Sequence, residues 1–158
     1  MNRYILGIVG TLVLVGCKIA PTEQYQHLQL TEAELLSSKW ESLERFAPLY
    51  PIENAMAGKE GCASIEYVIT PDNEIKDIKV IASSSKYFSK QAKLSVVEWK
   101  WSELPKGILQ EPVKTSTLFQ FCLETGDGHC SEINALESNI CGGEDIIYSI
   151  GYKIKSNR

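Results

Sequence analysis

An α+β fold with an antiparallel sheet is predicted, because strand and helix periodicities alternate along one stretch of the chain. Two alternating segments separated by a turn precede a segment with apolar residues at helical spacing, and a third alternating segment follows, all within residues 63–123. The chain has 158 residues, of which 44% are hydrophobic, so it can build one such domain with extensions at both ends.

The N-terminus has the features of a secretory signal. Arg3 is followed by a short apolar run, Tyr4 to Val15, which is too short for a membrane-spanning helix. The run ends in Leu14-Val15-Gly16-Cys17, which resembles the lipobox of bacterial lipoproteins. We therefore expect residues 1–16 to be a signal peptide that is removed, and Cys17 to be lipidated, with palmitate as one acyl group. An ordinary signal peptide and an uncleaved anchor are the alternatives.

Lipidation predicts a cell-envelope protein that faces the periplasm. Lys18 follows Cys17, and the absence of Asp at this position favours the outer membrane over the inner membrane. The formal net charge is −4 and the sequence has no basic cluster, which argues against nucleic acid as a partner. Membrane attachment is therefore expected to come from the lipid on Cys17.

The segment after Cys17 is predicted to be a tether followed by a helix. Residues 17–30 are polar and lack a clear period, so they form the tether. Thr31-Glu32-Ala33-Glu34 has the form of a capping box, which predicts a helix over residues 31–47 that ends at Pro48. The apolar face of this helix would consist of Leu36, Trp40, Leu43 and Ala47.

The domain itself is predicted over residues 48–123 and begins with a β-hairpin. Strand one, Ala63 to Thr70, and strand two, Ile75 to Ser83, are joined by a turn at Pro71 to Glu74. The core-facing residues are predicted to be Ile65, Tyr67 and Ile69 in strand one, and Ile78, Val80 and Ala82 in strand two.

A helix and a third strand complete the β-β-α-β order. The helix, roughly Phe88 to Trp101, would turn Phe88, Ala92, Val96 and Trp99 to the core, and strand three, Val113 to Leu123, would turn Phe119 and Phe121 to it. The helix returns the chain, so strand three runs parallel to strand two and antiparallel to strand one. A three-stranded antiparallel sheet of order 2-1-3 follows, in which strand three is an edge.

Four cysteines remain once Cys17 carries lipid, namely Cys62, Cys122, Cys130 and Cys141. An even number in an oxidising compartment predicts two disulfides, for which three pairings exist. Cys62 begins strand one and Cys122 ends the neighbouring strand three, so Cys62–Cys122 and Cys130–Cys141 are the expected bridges. A metal site that includes His129 is disfavoured, because the sequence contains no C-x-x-C pair.

Residues 124–158 are expected to be a disulfide-containing extension. Ile146, Tyr148, Ile150, Tyr152 and Ile154 alternate with other residues and predict a fourth strand, whose place in the sheet the pattern leaves open.

An ordered set of residues in this region resembles the C-terminal domain of TonB, the periplasmic energy transducer. The resemblance covers about Leu49 to Leu123. It rests on Tyr50-Pro51, Ala55, Gly58, Gly61, Thr70-Pro71-Asp72, Val80-Ile81, Ser83-Ser84, Phe88, Ala92, Val97, Trp99 and Trp101.

The resemblance implies a module that binds by β-augmentation, in which a partner segment adds to the edge of the sheet. TonB recruits the TonB box of an outer-membrane receptor through its last strand. By analogy, the partner-binding edge here would be presented by Thr115, Ser116, Thr117, Leu118 and Gln120. The chain differs from TonB in its cleavable signal, its short tether and its extension, which would cover this edge if the fourth strand paired there.

The sequence contains no combination of residues that predicts an enzyme or a cofactor. His27 lies in the tether, His129 has no nucleophile near it in sequence, and the Gly-rich turns are not followed by Lys-Ser/Thr. Three functions stay open: an envelope-protein binding module, a TonB-type component of transport through outer-membrane receptors, and a structural lipoprotein whose sheet edge is sealed by the extension.

Overall fold

The computed structural model describes residues 24–124, 126, 130 and 140–153. The predicted signal peptide, Cys17, His129 and Ile154 lie outside the described residues. Among those described, no helix is long and apolar enough to cross a membrane.

The centre of the fold is a four-stranded mixed sheet of order β2-β1-β3-β4. Strands β1 (Gly61–Ile69), β2 (Ile75–Ser83) and β3 (Val113–Glu124) reproduce the predicted strands and the predicted order 2-1-3. Strand β4 (Ile146–Tyr152) pairs parallel to β3, whereas the pairs β1–β2 and β1–β3 are antiparallel. The predicted antiparallel arrangement of the first three strands is confirmed. The fourth strand, whose place the sequence pattern left open, pairs parallel to β3 and makes the sheet mixed.

Helix α2 (Lys86–Glu98) covers one face of the sheet, and the core lies between them. The Ser85 hydroxyl caps its N-terminus by accepting from Tyr87 N. The residues predicted for its core face are all buried, as are those predicted for β1. Phe88 stacks on Phe121 with ring centroids 4.4 Å apart, which joins the helix to the middle of β3.

A short helix, α1 (Ile52–Ala57), precedes β1 and was not predicted. Its six residues are too few for a helical period to show in the sequence. Pro51 provides the N-cap position and the left-handed Gly58 ends the helix.

The predicted helix over residues 31–47 is wrong. The segment forms two isolated 3-10 turns, Glu34–Leu36 and Ser38–Trp40, followed by an irregular stretch. The Glu34 carboxylate, expected to cap a helix, instead accepts from Trp40 Nε1 at 2.9 Å. The Phe46 carbonyl accepts from Trp99 Nε1 and from the Ser95 hydroxyl, so contacts with α2 replace the hydrogen bonds of a helix.

The face predicted for β2 is wrong at its end. Val80 lies opposite Ile65, on the core side, whereas Ala82 lies opposite Ser64, on the other side of the sheet. An irregularity in the ladder between Ser64 and Ile65 changes the phase of the alternation, which an uninterrupted period of two cannot anticipate.

Candidate partner-binding edge

The extension crosses the face of the sheet opposite α2 before it forms β4. Cys141 is bridged to Cys62, the Ser64 hydroxyl donates to Gly142 O at 2.6 Å, and Gly143 lies against Leu118. A β-carbon on Gly143 would be 3.0 Å from Leu118 Cβ, and its φ of 152° also favours glycine. The extension therefore packs closely on this face of the sheet and reaches the outer edge of β3, where it pairs as β4.

All four remaining described cysteines form disulfides, as predicted, but the predicted pairing is wrong. The bridges are Cys62–Cys141 and Cys122–Cys130. Cys62 and Cys122 do lie on the same side of neighbouring strands, yet each is bridged to the extension. The described residues 141–143 cross this face of the sheet, which places Cys141 over Cys62.

The five residues predicted to present the binding edge lie in an inner strand. Leu118 to Glu124 of β3 pair with Ile146 to Tyr152 of β4. Nearer the start of β3, Thr31 N donates to Lys114 O, and the Thr115 hydroxyl donates to Thr31 O. Strand β3 is therefore not an edge over most of its length, and partner binding at Thr115, Ser116, Thr117, Leu118 and Gln120 stays a prediction.

The docked part of the predicted tether contributes to this cover. Tyr25 is buried, and Leu30 forms a parallel bridge with Lys114. The tether predicted over residues 17–30 is therefore in contact with the domain at Tyr25 and Leu30, and residues 17–23 lie outside the described residues.

A buried polar network holds the start of β4 to the core. The Asp145 carboxylate, 1% exposed, accepts two hydrogen bonds from Arg45 Nη1 at 2.7 and 2.8 Å and one from the Thr117 hydroxyl at 2.7 Å. Because Thr117 donates to Asp145, the Tyr67 hydroxyl donates to Thr117, at 2.9 Å. Burial raises the pKa of Tyr67 far above its ordinary value.

Arg45 is positioned by the core as well as by Asp145. Its guanidinium lies 5.6 Å from the centre of the Trp99 ring, a cation–π contact. Sequence reasoning missed this pair, since the two residues are 100 positions apart. The one available signal was Asp145, the second of two acidic residues directly before an apolar alternating run.

In the described sheet, the edge strand on the β3 side is β4, and β2 is the edge strand on the other side. Leu118 N donates to Asp145 O at 2.8 Å, so the odd-numbered residues of this parallel ladder direct their backbone groups towards β3. The even-numbered residues direct theirs outward. Their side chains are also exposed, on the face away from α2, and are Ile146, Tyr148, Ile150 and Tyr152.

Strand β4 lacks the features that normally protect an edge. Ile146 to Tyr152 contain no charged residue and no proline. The opposite edge, β2, differs in both charge and shape: it carries Lys76, Asp77 and Lys79, and its ladder with β1 has two irregularities. Of the two edges of the described sheet, the edge of β4 is consequently the one with fewer obstacles to pairing with another strand.

A second apolar segment runs beside β4 on the α2 side. The Ser149 hydroxyl donates to Pro48 O at 2.8 Å, and Gly151 lies under the Tyr50 ring. The Tyr50 side chain points inward, and its hydroxyl donates to Lys59 O at 2.6 Å. Burial and the nearby Glu60 carboxylate raise the pKa of Tyr50. Leu49, next to it, is 78% exposed, and so in large part are Ile52 and Met56 on α1. The exposed Leu49 therefore belongs to a segment that contacts β4 on the α2 side, and the even-numbered side chains of β4 are exposed on the other side.

The ends of β4 carry opposite charges. Glu144 is exposed just before the strand and Lys153 is exposed just after it. A strand laid along this edge therefore meets an acidic group at one end and a basic group at the other.

Potential metal ligands meet at one place in the described part of the chain, around Glu60, Cys122 and Cys130. The two cysteines are bridged to each other, and the Glu60 carboxylate accepts from Leu123 N at 2.7 Å. A thiolate site would require this bridge to be reduced.

Comparison with known proteins identifies a family to which the domain is similar. The family described as Gram-negative bacterial TonB protein C-terminal matches residues 47–123. The chain carries a domain of the TonB C-terminal family. The solution structure of the Pseudomonas aeruginosa TonB C-terminal domain has 23% identity and a TM-score of 0.41, over 49% of this chain and 80% of that one. A comparison with curated proteins finds no significant match.

The TonB C-terminal match ends at Leu123, so β4 and the bridged extension lie beyond it. Membership in the family indicates an envelope protein with a protein-binding role, since its domains are interaction modules. In the described part of the sheet, the strand that lies beyond this match covers β3 and forms the edge on that side.

Proposed function

We propose that this protein is a lipid-anchored envelope module that binds an extended segment of an envelope protein by strand addition along the outer edge of β4. The proposal rests on the composition and exposure of the outer edge of β4. Four outward residues, Ile146, Tyr148, Ile150 and Tyr152, combine unpaired ladder positions with exposed apolar side chains. Backbone hydrogen bonds supply affinity in this mode of binding, and alternate side chains supply specificity.

The anchor is part of the same proposal. Lipid on Cys17 would hold the module at a membrane, facing the periplasm, with the outer membrane favoured because Lys18 follows. Mass spectrometry of the membrane-extracted protein tests this: an N-terminal peptide that begins at acylated Cys17 is expected. A peptide that retains Met1 would refute the cleaved lipoprotein form.

Photo-crosslinking in living cells tests the binding edge. A benzophenone amino acid at Ile150, which is 53% exposed, is expected to give adducts with an envelope protein. Val97 on the outer face of α2 is 55% exposed and provides a matched control that should give few adducts. Equal labelling from the two positions, or none from Ile150, would refute strand addition at β4.

A structural role is the second candidate, and the covered edge of β3 favours it. In this role β4 would seal the sheet permanently and the edge of β4 would have no partner. TonB-type transport through an outer-membrane receptor would instead need the edge of β3. Receptor adducts from a crosslinker at Ser116 would support transport, whereas labelling from neither Ser116 nor Ile150 would support the structural role.

A further inference from the structure

We propose that the outer face of α2 lies against an anionic membrane surface and thereby orients the domain at the membrane. Three lysines and two exposed apolar residues form this lysine face, namely Lys86, Lys90, Lys93, Leu94 and Val97. The inference rests on the lipid anchor of the proposed function and is independent of strand addition at β4.

Helical spacing brings the three lysines together although they are separated in the sequence. Lys86, Lys90 and Lys93 follow one another at intervals of four and three residues, which places them on one side of α2. The other side of α2 is buried against the sheet through residues such as Phe88. One surface groove is lined by all five residues of the lysine face together with Ser89.

The lysines of this face have no partners of opposite charge within the described part of the chain. Lys86, Lys90 and Lys93 form no ion pair there. Glu53 lines a groove beside Lys86 and Lys90 but pairs with neither. Four other lysines do pair with carboxylates, and these are Lys39, Lys76, Lys79 and Lys100. Three cations that are close together and not neutralised favour an anionic partner.

The charge of the whole chain makes this attraction directional. The formal net charge is −4, so an anionic bilayer repels the protein on average and attracts it at the lysine face. A lysine near an anionic membrane surface strengthens binding about fivefold. Three lysines therefore orient a domain that a lipid already holds at the membrane, without replacing that lipid.

The apolar residues of the face favour a membrane as the anionic partner. Leu94 is 41% exposed and Val97 is 55% exposed, and both lie beside the lysines. At a bilayer surface, short apolar side chains enter the boundary with the acyl chains, while long lysine side chains reach the headgroups. A bilayer therefore accommodates both kinds of side chain on this face at once.

The proposed anchor has the length that this arrangement needs. The buried Tyr25 lies eight positions after Cys17. An extended chain of this length spans up to about 28 Å, comparable with the diameter of a small domain. Cys17 can therefore lie in the membrane that α2 contacts. The opposite face of the sheet, with the exposed Tyr148 and Ile150 of β4, would then point away from the membrane.

Lysine footprinting of the full-length protein tests the orientation. The protein is reconstituted in vesicles of phosphatidylcholine, with or without about one third phosphatidylglycerol, and treated with a membrane-impermeant amine reagent. The reference lysines are Lys76, on the face of the sheet away from α2, and Lys106, near the turn at Asn73. Relative to these, modification of the lysine face is expected to fall at least threefold when phosphatidylglycerol is present.

Charge removal tests the affinity without the lipid. The mature chain from Lys18 onward is floated with the same vesicles. Lys90→Gln with Lys93→Gln is expected to weaken binding to phosphatidylglycerol vesicles about 25-fold, from about fivefold for each lysine. The matched control, Lys76→Gln with Lys106→Gln, removes the same charge and should weaken binding less than threefold. Circular dichroism checks that both variants are folded.

The two tests can each overturn the proposal. Equal losses for the two folded double variants would mean that only the total charge matters, and unchanged modification of the lysine face would refute the orientation. Protein adducts from a benzophenone at Val97, as frequent as those from Ile150, would replace the membrane with a protein partner. The flotation does not use Cys17, so an absent lipid would refute the proposed anchor without altering this result.

Discussion

The disulfide Cys62–Cys141 is expected to contribute much more to stability than Cys122–Cys130. The first closes a loop with a sequence separation of 79 residues and the second a loop of 8. In the chain-entropy treatment these lengths correspond to about 4.5 and about 2.5 kcal/mol at 25 °C. Removing the longer bridge should therefore cost about 2 kcal/mol more, a large share of a typical unfolding free energy of about 5–15 kcal/mol.

The assay is urea denaturation of the mature chain from Lys18 onward, exported behind a cleavable signal and followed by tryptophan fluorescence. The tryptophans report on the core, since Trp40, Trp99 and Trp101 are all buried there. The double variant Cys62→Ala with Cys141→Ala avoids a free thiol, and Cys122→Ala with Cys130→Ala is the matched control.

Equal losses for the two double variants, or a larger loss for the control, would refute the loop-length argument. A larger loss for the control would mean that the short clip between β3 and the extension determines stability through native contacts. A small loss for both would mean that the sheet and α2 hold together without help from either bridge.

Three further perturbations probe the attachment of β4 and the core. Arg45→Met is expected to lower the free energy of unfolding in urea by about 3–5 kcal/mol, because it leaves the buried Asp145 carboxylate uncompensated. Asp145→Asn should lower it less, because the Arg45 side chain is 22% exposed and can be solvated. A larger loss for Asp145→Asn than for Arg45→Met would contradict this reasoning. Gly151→Ala is expected to cost about 1–3 kcal/mol in thermal unfolding because its β-carbon would lie 2.4 Å from Tyr50 Cγ, so an unchanged melting temperature would rule out the close packing. Stability should fall as the pH rises above about 10, since the unfolded chain ionises Tyr67 near that pH while burial raises the pKa of Tyr67 in the fold. Tyr67→Phe should reduce this slope above about pH 10 and leave the part that comes from Tyr50, whose pKa is also raised; an unchanged slope would exclude Tyr67 as a cause.

Local patterns in the sequence were sufficient for most of the domain. Strands β1, β2 and β3 and helix α2 lie within about three residues of their predicted bounds. Each shows at least two full periods of apolar residues. Residues 31–47 also have apolar residues at helical spacing, but Ala33 adopts a left-handed conformation. The backbone of this segment forms hydrogen bonds with Trp99 at the end of α2 and with Lys114 in β3 instead. Tertiary contacts outweighed a local preference of modest size there.

The sequence by itself determined which segments are strands, which face of α2 is buried and that four cysteines would pair, because these depend on residues that are near neighbours along the chain or on their number. The tertiary structure decided that β4 lies beside β3, that Cys62 joins Cys141 and that Arg45 meets Asp145. Each of these contacts joins residues from about 30 to 100 positions apart, and the strand pattern of β4 fits any free edge equally well. Only the packed sheet shows which edge was free, and the crossing of the extension over its second face then determined both the disulfide pairing and the edge that remains open.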